Sequence, residues 1–255
     1  MKPSPYEPYN RLLSARPARG DVHVWCVSLG LPEDRFSRFE QALSPDERAR
    51  ADRFRFAVHR QHFVAARGVL RCLLGHYAEM PPAQIQFQEG AHGKPALVAP
   101  DRVRFNVSHS GGLGLYAIAN EREVGIDIEQ HRAMDDLNGI AKHYFAPDEL
   151  AELGKLLPEN QNTAFFRCWS RKEAFVKAVG MGLSLPLDSF SVSLDEEPTT
   201  SIARQPRRTA REDWMLFDVT PRAGYSAALV TEGMPAAIRC TRVEDAAKLA
   251  GELGL

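Results

Sequence analysis

The fold class that the sequence predicts is α+β: a pseudo-twofold duplication of two similar lobes, each a small antiparallel sheet packed on a long helix. Three features in one register predict it. "LSPDERA" at 43–49 is echoed by "FAPDELA" at 145–151, which puts Pro45 and Pro147 102 positions apart. The same offset carries Phe63 of "HFVAARGVLRCLLG" onto Phe165 of "AFFRCWSRKEAFVK". It also carries the strand-like "VHVWCVSL" (22–29) onto "VGIDIEQH" (124–131). One echo is weak, but three that share an offset indicate internal repetition.

The elements follow in chain order. Residues 1–20, "MKPSPYEPYNRLLSARPARG", are rich in Pro and Arg and hold no continuous apolar stretch. They read as an irregular arm rather than a signal peptide or a membrane span. The first strand follows at 22–29. Pro45 with Asp46 and Glu47 marks a helix start, because Pro suits the first turn and the free N–H groups there favour acidic side chains. A long helix then carries Phe63 and Arg71, and strands are expected at 85–88, 103–108 and 113–119. The lobes join near 120–123, which divides the chain into the arm (1–20), an N-terminal lobe (21–121) and a C-terminal lobe (122–255).

The second lobe repeats the plan. It has a strand at 124–131, a helix opened by Pro147, and a long helix in which Phe165, Trp169, Val176 and Val179 recur at helical spacing. Further strands are expected at 190–194, 214–219 and 225–230, and a closing helix at 243–253. The stretch 199–212, with Pro206 and several arginines, reads as a surface loop.

Composition narrows the function classes. The 255 residues are 44% hydrophobic and 25% charged, with a formal net charge of -1. That balance gives no reason to expect nucleic acid or an anionic membrane as partner, and no apolar stretch is long enough to span a bilayer. The cysteines Cys26, Cys72, Cys168 and Cys240 are scattered without a C-x-x-C pair, as expected of reduced thiols in a cytoplasmic protein.

The halves differ in chemistry. The first strand carries Trp25 and Val27 where the second, "GIDIE", carries Asp127 and Glu129. Residues i and i+2 share a strand face, so these carboxylates stand side by side. In the long helices Arg71 falls opposite Glu173, which sits at the edge of the apolar arc with Lys177 one turn on. Taken alone, Glu173 and Lys177 form an ordinary helix pair worth roughly 0.2–0.5 kcal/mol. If the long helix packs on the sheet, Glu173 approaches Asp127 and Glu129. Three half-buried carboxylates repel one another, and a hard divalent cation such as Mg²⁺ resolves the conflict while leaving positions for water and substrate phosphate.

Candidate cations for a polyphosphate lie elsewhere. "HGKPAL" holds Lys94 in a Gly-Pro turn, "FNVSHSGG" ends a strand with Ser108, His109 and Ser110, and Arg48, Arg50 and Arg53 follow the first Pro-Asp-Glu start. Ser108 and His109 are strand neighbours that point to opposite faces, so they are not a nucleophile–base pair. There is no G-x-S-x-G, Walker A, G-x-G-x-x-G or H-E-x-x-H pattern.

The ordered set of "GKP" at 93–95, "FNVSHS" at 105–110, "GIDIE" at 125–129, "WSRKEAFVK" at 169–177 and "GLSLPLDSFSV" at 182–192 resembles the long, two-lobed, Sfp-type 4′-phosphopantetheinyl transferases. The resemblance runs over most of the chain. It implies transfer of phosphopantetheine from coenzyme A to a serine of an apo carrier protein of fatty-acid, polyketide or nonribosomal-peptide type, releasing adenosine 3′,5′-bisphosphate. It also implies Mg²⁺, with Mn²⁺ as a substitute, and a monomer with coenzyme A between the lobes. By motif, Asp127, Glu129 and Glu173 resemble the metal ligands, Glu173 also the general base, and Lys177 the lysine on the pyrophosphate. Ser108, His109, Lys94 and Arg50 match phosphate and nucleotide positions, and Arg53 is a further basic candidate beside them. Tyr144 and Phe145 fall where relatives meet the carrier. Two rivals stay open on sequence alone: a magnesium-dependent hydrolase of the coenzyme A pyrophosphate, and a silent coenzyme A-binding protein.

Overall fold

The structure is a computed structural model that describes residues 6–14, 16–90, 92–99, 102–196, 199–202 and 214–255. The chain opens with β1 (Tyr6–Glu7) and α1 (Asn10–Leu13), then β2 (Val22–Ser28), α2 (Glu33–Ala42), α3 (Pro45–Ala51) and the long α4 (Ala57–Ala78). A hairpin of β3 (Phe87–Glu89) and β4 (Pro95–Leu97) precedes β5 (Val103–Ser110) and β6 (Leu113–Asn120). The second half runs β7 (Val124–Gln130), α5 (Leu137–Tyr144), α6 (Pro147–Lys155) and the long α7 (Pro158–Val179). It continues with β8 (Thr199–Ser201), β9 (Trp214–Asp218), β10 (Tyr225–Glu232), β11 (Ile238–Val243) and α8 (Ala246–Glu252).

The duplication is visible in the sheets. In the first, β2, β6 and β5 lie side by side and antiparallel; in the second, β7, β10 and β9 do the same. Strand alternation then builds three cores. Trp25 and Val27 face α4, Ala228 and Val230 pack with α7, and Val22, Val24 and Cys26 meet Val124, Ile126 and Ile128 in a third cluster that joins the lobes. Each lobe therefore has a helix on one sheet face and the other lobe on the opposite face.

The helix starts are physically alike. Ser44 caps α3 with a reciprocal box to Glu47. At α6 the residue is Ala146, which has no side-chain acceptor, so only the returning half remains: Ala146 N–H donates to Glu149 Oε2 at 2.7 Å. The long helices begin at Ala57 and Pro158, one residue out of the register that relates Pro45 to Pro147. Buried ion pairs follow the helices: Arg71 Nε reaches Glu47 at 2.6 Å and Lys172 Nζ reaches Glu149 at 2.7 Å. Arg71 thus corresponds to Lys172, not to Glu173 as the uniform offset implies.

Four expectations change. The arm is not irregular where it is described, since β1 pairs with β11 and Leu12 is fully buried. The C-terminal segment returns to the first lobe: β11 pairs parallel with β2, and Val243, Ala246 and Leu249 join the first lobe's core. This parallel pairing makes the first sheet mixed rather than wholly antiparallel. Residues 190–194 form no strand of the sheet, because side chains satisfy their backbone; Val192 N–H donates to Glu149 and Ser193 O accepts from Arg171. The expected loop at 199–212 begins as β8, which pairs with β9, and residues 203–213 lie outside the described part.

Candidate active site

The site forms where β7, α7 and β5 converge. Gly125 permits it: a Cβ there would collide with Ala174 O and Ala178 N, so only glycine lets the strand reach the helix backbone. Asp127 and Glu129 alternate with Ile126 and Ile128. The isoleucines enter the core between the lobes and the carboxylates turn the other way.

β5 and β7 are the facing edges of the two sheets, and side chains bridge them. Asn106 Oδ1 accepts from Ile126 N–H at 2.9 Å, standing in for a main-chain carbonyl. Ser108 Oγ donates to Asp127 Oδ1 at 2.8 Å. Ser110 Oγ accepts from Gln130 N–H at 3.1 Å and donates to Glu129 Oε2 at 3.3 Å. Sequence reasoning missed Asn106 and Ser110 as site-builders. Their i, i+2, i+4 spacing with Ser108 was the available signal, a polar face along one strand.

Lys177 Nζ lies 2.6 Å from Asp127 Oδ1 and 3.0 Å from Ser108 Oγ. Asp127 is 3% exposed, and its Oδ2 is buried with no partner. Burial raises its carboxyl pKa, against the pull of Lys177 and Ser108. Burial and the neighbouring Asp127 charge push Glu129 up, and Arg132, 3.7 Å away, opposes them. For Glu173, burial raises the pKa, Lys177 lowers it and Asp127 raises it again. Asp127 thus acts electrostatically on each of the other two carboxylates. Among the described residues, no three His, Cys, Asp or Glu side chains form a ready-made metal cage. The ammonium of Lys177 holds the Asp127 carboxylate instead.

Glu173 and Lys177 line a cavity of about 640 Å³ between the lobes, closed on the first-lobe side by the turn at Gly93 and by Asn106 and Val107. Tyr144 lies at its rim, 38% exposed and edge-on to Trp169 at 5.4 Å between centroids. Phe145, its expected companion, is instead 2% exposed and stacked on Phe165 in the core, which removes it from any docking surface.

The basic candidates divide. His109 keeps solvent contact, and its pKa is lowered by partial desolvation and then by Lys177, His62 and Arg50. Arg50 is exposed, its guanidinium 5.4 Å above the Phe63 ring. Arg53 is exposed just beyond α3. Lys94 turns to the protein: its Nζ donates to Glu123 Oε2 at 2.7 Å, Val124 O at 3.1 Å and Ala178 O at 2.9 Å.

Comparison with known proteins places this arrangement. The sequence signature of the 4′-phosphopantetheinyl transferase superfamily matches residues 123–230, and that of the 4′-phosphopantetheinyl transferase N-terminal region matches 32–121. The 4′-phosphopantetheinyl transferase HetI of Nostoc sp. is 37% identical over 216 residues, covering 84% of this chain and 88% of the relative. The 4′-phosphopantetheinyl transferase Sfp of Bacillus subtilis is 32% identical over 172 residues, covering 68% and 75%. The 4′-phosphopantetheinyl transferase AcpT of Salmonella typhi is 39% identical over 154 residues, covering 57% and 76%. Family signatures on both lobes, together with these relatives, establish that the chain belongs to the 4′-phosphopantetheinyl transferase superfamily and is a transferase of that type.

Proposed function

We propose that this transferase moves phosphopantetheine from coenzyme A to a serine hydroxyl of an apo carrier protein, using Mg²⁺ held by Asp127, Glu129 and Glu173. The observation that carries the reading is the buried Asp127, one oxygen on the Lys177 ammonium and the other without a partner, beside a cavity that Glu173 and Lys177 line. An all-oxygen donor set suits a hard cation, and burial raises the pKa values of all three carboxylates, so a bound cation would offset the cost of their charge. When bound, the ion would neutralise phosphate charge on the pyrophosphate; Mn²⁺ would serve similarly.

Glu173 accepts the proton of the carrier serine, since burial makes it a better base than a free glutamate. The serine Oγ–phosphorus bond forms as the phosphorus–oxygen bond to adenosine 3′,5′-bisphosphate breaks. Lys177 withdraws negative charge from the pyrophosphate and steadies the departing oxygen. Ser108 fixes Lys177 through its hydroxyl. His109 and Arg50, with Arg53 farther out, offer donors to the remaining phosphates of coenzyme A. Tyr144, exposed beside the cavity, is the proposed edge of the carrier dock. A chain that contains both lobes is proposed to act as a monomer, and its four buried free thiols suit a reducing cytoplasm.

Intact mass of a panel of apo carriers, incubated with the protein, coenzyme A and Mg²⁺, tests the reading. The expected result is a gain of one phosphopantetheine that chelation abolishes. Bisphosphate release without carrier modification would replace it with hydrolysis, and transfer that survives chelation would remove the metal.

A further inference from the structure

Lys94 sits in the first lobe, in the turn between β3 and β4, yet all its polar contacts are at the junction with the second. An ammonium has three N–H groups. One goes to Glu123 in the connection between the lobes, one to Val124 O at the start of β7, and one to Ala178 O in the last turn of α7. Ala178 follows Lys177, and Val124 lies three residues before Asp127. The two carbonyls that Lys94 ties together therefore flank the Lys177–Asp127 pair on both of its elements. Gly180 makes room for the stem: a Cβ there would stand 3.0 Å from Lys94 Cδ, in a residue whose φ of +71° closes the helix. Glu123 is itself held from the other side by Arg104 at 2.9 Å. A cation at the C-terminal turn of a helix also meets the negative end of its dipole.

We propose that Lys94 is a positioning residue, which sets α7 against β7 so that Lys177 and Glu173 stand in register with Asp127, and that its ammonium, although the residue lines the cavity, is not a donor to coenzyme A. With its three donors spent inside the protein, Lys94 would have to release one of them to reach a phosphate. Loss of the staple frees the last turn of α7 to slide on β7, and small displacements of a positioned group are costly to a reaction. The inference rests on the roles given above to Glu173 and Lys177.

The test is steady-state kinetics of Lys94→Ala on a modified carrier, with folding checked by circular dichroism and Tm. The expected result is a fall in kcat of about tenfold with KM for coenzyme A within about twofold of wild type. A KM raised about tenfold at unchanged kcat would make Lys94 a ligand contact and overturn the proposal. A lowered Tm with both constants unchanged would leave a merely structural clip and overturn it equally. Should Lys94→Ala fail to fold, Glu123→Gln keeps both carbonyl bonds and removes only the charge; kcat should then fall about threefold at constant KM, and a rise in KM alone would refute the idea. Glu173→Gln, measured alongside, separates the two failures: its retained activity would sink the assignment of the site, whatever Lys94 does.

Discussion

The two lobes solve the same mechanical problem in the same way and then part company on one strand face. In the first, Arg71 on the long helix binds the capping Glu47 and donates to Pro82 O and Ile85 O in the segment after the helix. In the second, Lys172 binds Glu149 and donates to Leu187 O and Phe190 O. Each cation thus ties a helix start, a long helix and the returning chain into one unit. The strand that each long helix covers is where they differ. β2 presents Trp25 and Val27, wholly buried in the core, whereas β7 presents Asp127 and Glu129. Duplicating a self-sufficient scaffold lets one copy exchange apolar packing for charge, because the buried ion pair and the shared core between the lobes still hold it.

The sharpest way to break that contrast is to remove the charge. Asp127→Asn and Glu173→Gln should each lower transfer at least about 100-fold while leaving the circular dichroism spectrum intact. Val27→Ala, at the matching place on β2, should cost about 2 kcal/mol of stability and leave kcat unchanged. A catalytic defect in Val27→Ala comparable to that of Asp127→Asn would mean that the chemistry is not confined to the second lobe.

The shared device is unequal in redundancy, which predicts unequal losses. Glu47 also receives Arg67, whose Nε lies 2.8 Å away, so Arg71→Met leaves its carboxylate paired. Among the described residues Glu149 pairs with Lys172 alone, and the Lys172 side chain is fully buried. Lys172→Met should therefore cost about 3–5 kcal/mol in urea unfolding, because a buried charge is stranded, and Arg71→Met about half as much. Equal losses would show that Arg67 contributes nothing to the first pair.

Acid acts with opposite sign on His23 and on the carboxylate site. In the first lobe, His23 is 1% exposed beside the Tyr77 hydroxyl at 2.8 Å, and its pKa is lowered to about 4 by burial and then by Arg239. The unfolded chain binds that proton near 6.5, so stability is lost as pH falls from 6.5 towards 4, by about 3 kcal/mol. In the second lobe Asp127, Glu129 and Glu173 have raised pKa values. There the folded state takes up protons more readily than the unfolded chain, so stability rises as pH falls through that range. His23→Gln should flatten the acid limb of a stability–pH curve and Asp127→Asn should steepen it. The reverse order would invert the assignment.

What the sequence disclosed, and what it hid, has a physical pattern. The doubled register, the carboxylate face of β7 and the helix that carries Glu173 are local periodicities, so they could be read directly. The pairing of β11 with β2 is a contact across the whole chain, signalled by no local period, and the fate of the C-terminal segment followed from it. Lys94 and Phe145 were legible as residue types but not as orientations. The same Gly-Lys-Pro turn can point an ammonium at a ligand or at Ala178 O, and the same aromatic can face solvent or stack on Phe165. Arg71 was set against Glu173 because a constant offset cannot register the single residue lost before α7.

The smallest expected effect tests how the lobes cooperate at the seam. Ser110 belongs to the first lobe, yet its hydroxyl accepts the Gln130 N–H and donates to Glu129 Oε2, so it orients a carboxylate of the second. Arg132 makes a longer approach to Glu129, at 3.7 Å. Ser110→Ala should leave Glu129 charged but less well directed, and groups that orient a ligand typically affect metal affinity by about 10-fold or more. Because the bond here is long and half exposed, a rise of about three- to tenfold in the Mg²⁺ needed for half-maximal transfer is expected, at unchanged KM for coenzyme A. Direct Mn²⁺ binding by electron paramagnetic resonance should weaken in parallel, and Ser110→Thr should restore both. If Ser110→Ala shifts neither, Glu129 is placed by β7 alone, and the first lobe contributes walls to the site without arranging its charges.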